Sequence, residues 1–197
     1  PRLSNGSLGP LLGESAVERA VRLAPDLADT VLAIQGPPGS GKTFTGARMI
    51  CELVRRGMRV GVTAVSHKVI RKLLDDVRRA GDKLGLAVTC LHKVTEESEH
   101  QGAIEETTAN AEVDARLAAR SVHVVGGTAW LWARPEFEHA VDVLFVDEAG
   151  QMSLANVVAV SQAAQSLVLL GDPQQLEQPQ QGTHPEGTDV SALEHIL

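Results

Sequence analysis

Tyrosine is absent from this sequence, and three Phe and two Trp make up the whole aromatic complement, 3% of 197 residues. With so few rings, a core drawn from a hydrophobic content of 43% has to be aliphatic, built from Val, Leu and Ala. Only two cysteines occur, Cys51 and Cys90, both in apolar surroundings and without paired spacing. That pattern argues against a disulfide framework and a zinc knuckle, and points to a reducing compartment. No apolar run approaches the ~20 residues of a membrane span and no signal peptide is visible, so a soluble cytoplasmic protein without a membrane partner is expected. Also missing is an Asn/Thr-Lys-x-Asp segment of the kind that reads guanine, which argues against a GTPase. The chain begins at Pro1 rather than Met and stops at Leu197, just after a helix start at Ser191-Ala192-Leu193. It is therefore read as one domain, 1–197, of a longer protein.

Positive charge is scarce overall, for the formal net charge is -7. Its distribution is uneven. Lys42 to Lys83 holds 11 Lys and Arg against 4 Asp and Glu, a local net of +7. Leu84 to Gly150 holds 4 against 12, a local net of -8. A chain polarised in this way can present a basic face to an anionic partner despite an acidic total. Arg55, Arg56, Arg71, Lys72, Arg78 and Arg79 are equally suited to solvating helix surfaces.

What is present is alternation. Short apolar runs at 31–34, 60–64, 86–91, 122–125, 143–146 and 167–170 read as buried strands. Helical patterns separate several of them. One runs from Lys42 to Arg56 with Gly57 placed to end it, another from an N-cap at Ser66 to about Ala80, and a third from about Leu154 to Ala164. The acidic, Ala-rich segment 95–120 reads as a helical insertion, and 174–187 is compositionally odd. Uniformly apolar strands alternating with helices predict an α/β fold, a parallel sheet covered by helices on both faces. Ligands of such sheets bind at the carboxyl ends of strands.

The chemistry-bearing segments all fall at such ends. Gly36-Pro37-Pro38-Gly39-Ser40-Gly41-Lys42-Thr43, with Phe44 directly after, matches the phosphate-binding loop in full. Its glycines let successive N–H groups converge on an anion, and the following helix points its positive end the same way. Lys42 is suited to neutralise the β- and γ-phosphates, and the Thr43 hydroxyl to sit on Mg²⁺. Asp147-Glu148 supplies the second half of the site: Asp147 to hold Mg²⁺, Glu148 to orient and deprotonate the attacking water. In Gly171-Asp172-Pro173-Gln174-Gln175-Leu176 a side-chain amide is placed to contact the γ-phosphate.

IQGPPGSGKT, LFVDEAGQ and LLGDPQQL, in that order, resemble motifs I, II and III of superfamily-one helicases, and VTAVSHKVIRKLL resembles motif Ia of the branch containing the nonsense-mediated-decay and replication helicases. The tail QPQQGTHPEGTDVSALEHIL resembles bacterial helicases fused to a RecB-like nuclease. The resemblance spans about Leu32 to Leu197. It implies a P-loop NTPase of RecA-like fold, ATP and Mg²⁺ as cofactors, and Lys42, Thr43, Asp147 and Glu148 as the residues of ATP chemistry. It further implies Gln175 as the γ-phosphate sensor, and Ser66, His67, Lys68 and Thr128 (after Gly127) as contacts for single-stranded nucleic acid, DNA in preference to RNA. Trp130 and Trp132 suit base stacking, and suit core or interdomain packing at least as well. One position departs from the family, since Val17 stands where a Gln usually reads adenine. The arginine that completes the transition state in such motors comes from a second RecA-like domain, so weak hydrolysis is expected of this chain alone. Two alternatives stay open: an ATPase switch or clamp without a nucleic-acid track, and a helicase-nuclease whose nuclease lies elsewhere.

Overall fold

The computed structural model describes residues 1–96, 102–173 and 191–197. Among them, β1 (Val31–Gln35), β2 (Val60–Thr63), β3 (Cys90–Lys93), β4 (Glu105–Thr107), β5 (Val124–Gly126), β6 (Val141–Asp147) and β7 (Ala164–Gly171) form one sheet. Their order is β1-β7-β6-β2-β5-β3-β4, and every pairing is parallel. All carboxyl ends therefore lie along one rim. This is the RecA-like P-loop arrangement that the alternation and motifs predict.

The helices are α1 (Ala16–Leu23), α2 (Lys42–Arg55), α3 (His67–Lys83), α4 (Asn110–Ala118), α5 (Ala129–Trp132), α6 (Leu154–Ser161) and α7 (Ala192–Ile196). Serines start several of them. Ser15 forms a capping box with Glu18 on α1, and Ser66, Ser153 and Ser191 cap α3, α6 and α7 through their hydroxyls. Each such cap satisfies an N–H that the first turn leaves unpaired, worth about 1 kcal/mol. No helix among the described residues is long and apolar enough to cross a membrane.

Strand alternation sends side chains to two separate cores. Val143, Phe145, Val168 and Leu170 pack with Ile50 and Leu53 of α2 and Leu73 and Val77 of α3 on one face. Leu144, Val146, Leu167 and Leu169 pack with Trp132, Phe137, Val157 and Leu193 on the other. Burial of each such aliphatic side chain contributes about 2 kcal/mol. Three of the five aromatics are inside as well: Trp132, Phe137 and Phe145 rank among the largest fully buried side chains. Cys51 and Cys90 are free thiols within the first core, and burial pushes them up to about 11 and about 12.

Three parts of the expected layout need correction. The run 86–91 is not a strand throughout: α3 continues to Lys83, and β3 begins only at Cys90. Gly85, at φ +65, reverses the chain, and the Leu86 N–H returns to the Gly81 carbonyl at 2.9 Å, so these apolar residues close the helix end instead of extending the sheet. Nor is 95–120 helical as a whole. Its described part contains β4, paired with β3, before α4 begins at Asn110. The strand Glu-Glu-Thr hid from a search for apolar runs because it is the sheet edge, fastened by ion pairs from Arg71 to Glu106 at 2.5 Å and from Arg116 to Glu105. Helix α6 stops at Ser161, three residues short of the expected end.

Candidate functional site

The phosphate-binding loop leaves the end of β1 and enters α2. Gly39 and Gly41 hold φ of +78 and +86, values that only glycine adopts without strain. A Cβ on Gly36 would lie 2.6 Å from the Ser40 hydroxyl oxygen, so a side chain there would crowd the inside of the loop. The Lys42 ammonium donates to the carbonyls of Gly36 at 2.5 Å and Pro37 at 2.9 Å, poised over the loop it would share with a phosphate. Thr43 is half-buried in the first turn of α2, while Phe44 is exposed and carries the Arg48 guanidinium 4.8 Å above its ring.

Asp147 ends β6, two strands from β1 with β7 between them. At ~4.8 Å per strand the two halves of the site stand roughly 10 Å apart along the sheet. Asp147 is 4% exposed, and burial pushes its carboxyl up to about 6. The Glu148 N–H, at 3.0 Å from Oδ1, and the charges of Lys72 and Lys42 pull the other way. A buried carboxylate short of compensating charge, on the same rim as the phosphate-binding loop with one strand between them, fits a hard cation.

Glu148 adopts φ +54, uncommon for a residue with a Cβ and costing of order 1 kcal/mol. Neighbouring contacts enforce it. The Ala149 N–H bonds the Leu170 carbonyl at 2.9 Å, and the Gln151 N–H bonds the Glu148 carbonyl at 2.9 Å. Gly150 presses against the end of β7 so closely that a Cβ there would meet the Asp172 carbonyl oxygen at 2.2 Å. The turn carrying Glu148 is thus locked to the Gly171-Asp172 segment. Sequence reasoning passed over Gly150, whose requirement for glycine comes from a strand adjacent only in space. Gln175 and the 174–187 stretch lie outside the described residues.

Further along the rim, the ends of β2, β3 and β5 gather the other candidates. Ser66 spends its hydroxyl on the Val69 N–H at 3.3 Å, and Lys68 is exposed. His67 and Thr128 line one cleft of about 240 Å³ with Lys93, Asn110, Trp130 and Arg134. The sequence singled out neither Lys93, Asn110 nor Arg134; only the sheet order brings them beside His67.

His67 Nδ1 lies 3.2 Å from Nε2 of His92, which is 2% exposed. Burial, then the neighbouring His67, pushes His92 down to about 4, with Arg71 acting the same way and Glu106 opposing. Its folded value lies below its unfolded one, so the fold loses stability as pH falls from about 6.5 toward 4, because the unfolded chain takes up a proton that the folded one refuses. The loss should reach about 3 kcal/mol. In His92→Leu, melting temperature plotted against pH should flatten over that interval. An unchanged acid slope would assign it to other groups.

A pocket of about 500 Å³ opens beside the phosphate-binding loop, between α1 and β1, and reaches Ser40 and Lys42. Val17 lines it with Leu8, Ala20 and Leu23, so the position where an adenine-reading amide was expected does face a cavity next to the loop, but with an apolar side chain.

The model of a family described as AAA domain matches residues 18–189. The chain belongs to the AAA domain family. Its P-loop motif and its RecA-like parallel sheet are consistent with that family. No curated protein matches the chain. Among solved structures, it is similar to the UvsW helicase from bacteriophage T4 at TM-score 0.56 and 11% identity, over 80% of this chain and 51% of that one. It is similar to arterivirus nonstructural protein 10, a helicase in complex with DNA, at TM-score 0.53 and 15% identity, over 89% and 35%. The Type ISP restriction-modification enzyme LlaGI, with a DNA substrate mimic, gives TM-score 0.54 and 17% identity, over 80% and 14%. At these identities the likeness is one of fold, and this AAA domain spans about half or less of each of those chains.

Proposed function

We propose that this AAA domain is the ATP-binding part of a motor that couples ATP hydrolysis to movement on single-stranded nucleic acid. One observation carries the reading: a phosphate cradle and a buried Asp147 with its neighbour Glu148 share a rim with a basic cleft containing His67, Lys93 and Arg134. The base and ribose of ATP lie in the pocket beside Val17. Lys42 and the loop N–H groups would hold the phosphates, and Thr43 and Asp147 would hold Mg²⁺, which would supply neutralising charge to the triphosphate. Glu148 takes the proton of the attacking water. Two of the similar structures are helicases, one of them in complex with DNA, and the restriction-modification enzyme LlaGI holds a DNA substrate mimic; these likenesses support a nucleic-acid partner.

The test is linkage. Affinity for a single-stranded DNA or RNA oligonucleotide is measured with Mg²⁺ and either a non-hydrolysable ATP analogue or ADP. A motor domain should hold the strand with different affinities in the two states. Nucleotide binding with no affinity for either oligonucleotide would instead favour an ATPase switch without a track.

A further inference from the structure

The two tryptophans sit two residues apart and end in opposite places. Trp132 is fully buried, its indole N–H donating to the Val62 carbonyl at 3.1 Å and its ring meeting Phe137 edge-on at 6.0 Å between centroids. Trp130 is 87% exposed. Its ring contributes nothing to either core, and an indole left in water forgoes the stabilisation that burial gives Trp132.

The surroundings of Trp130 say what would cover it. It forms a wall of the 240 Å³ cleft together with Lys93, Asn110, Thr128 and Arg134. Two cations beside an exposed ring suit a phosphodiester that carries an unpaired base, and the Asn110 amide and Thr128 hydroxyl suit the polar edge of a base or sugar. Arg134 already pairs with Glu136 at 2.6 Å, but both side chains are about half exposed, so the pair is weak and readily exchanged for a phosphate. An apolar protein surface would have to desolvate both cations to reach the ring. Charge complementarity therefore favours a nucleic-acid strand.

We propose that Trp130 is the stacking platform for one base of a single strand whose backbone is held by Lys93 and Arg134. This rests on the motor reading above. It assigns to one side chain the sequence-tolerant part of the grip, since every base has a π-face.

The chain is its own reporter. It has two Trp and no Tyr, so its emission comes from Trp130 and the buried Trp132 alone. Emission and affinity are followed on titration with oligothymidylate and with an abasic oligonucleotide of equal length. The wild-type chain should bind the base-bearing strand about tenfold or more tighter than the abasic one, with quenching by the former only. Trp130→Ala should bind both strands with the lower affinity and show no quench, while Trp130→Phe should keep most of the difference. Oligothymidylate bound equally well by wild type and Trp130→Ala overturns the stacking role and leaves the motor reading standing. No binding of either strand by the wild type removes both. If Trp130→Ala instead dissolves a dimer without altering strand affinity, the ring's partner is a second copy and the proposal fails.

Discussion

Glu148→Gln is expected to bind ATP and Mg²⁺ about as tightly as the wild type and to lose turnover by roughly 100- to 10,000-fold, the usual contribution of a positioned general base. The expectation rests on where the backbone holds this residue. Asp147 is buried in the strand, whereas Glu148, half-buried at φ +54, begins a turn locked between the Leu170 carbonyl and the Asp172 segment. Residues kept in a strained conformation by their surroundings concentrate at working sites. The amide of Gln preserves size and hydrogen bonding but cannot accept a proton at neutral pH, so binding and chemistry separate. Fluorescent-nucleotide binding and single-turnover hydrolysis measure the two. Normal hydrolysis would place the base elsewhere, and lost binding would mean that the turn itself had been disturbed.

Lys42→Ala acts at the other end of the site. It should weaken ATP binding by roughly 100-fold or more, since charge-assisted hydrogen bonds contribute about 1.5–3 kcal/mol and the Coulomb attraction of the ammonium for the triphosphate goes with them. Folding should hardly notice. Among the described residues the ammonium bonds to Gly36 and Pro37, carbonyls of the loop itself, and packs in neither core. A melting temperature within a few degrees of wild type, beside lost nucleotide affinity by calorimetry, is the expected pair of results. A variant that still bound ATP tightly would leave the loop's N–H groups as the principal anchor.

The difference between these substitutions and those at Gly150 or His92 is also a difference in legibility. Lys42 announces itself because a phosphate loop is local: the glycines, the lysine and the helix start follow one another along the chain, and Gly39, Gly41 and α2 take up the conformations that pattern requires. Ser66 is legible for the same reason, because an N-cap hydroxyl reaches an N–H three residues on. Gly150 has no such signature. Its need for glycine arises from Asp172, on the far side of a strand crossover. The edge strand β4 escaped because pairing on one side asks little hydrophobicity of it.

The aromatic residues divide in the same way. Scarcity of rings led to the expectation of an aliphatic core, yet Trp132, Phe137 and Phe145 are buried while Trp130 faces solvent. Nothing in Ala-Trp-Leu-Trp says which indole points inward. The decision comes from the Val62 carbonyl, which accepts the Trp132 N–H from a neighbouring strand.

The sequence by itself determined the local chemistry of this AAA domain: the phosphate loop, the Asp147-Glu148 pair, the helix caps and the parallel α/β class. Those depend on residue type and on spacing over a few positions, which the chain carries directly. Only the tertiary structure decided the strand order that puts β7 between the two halves of the proposed nucleotide site, the His67–His92 contact, the lock on Glu148 and the exposure of Trp130. Each of these follows from how segments far apart in the chain meet, which was settled when the sheet chose its neighbours.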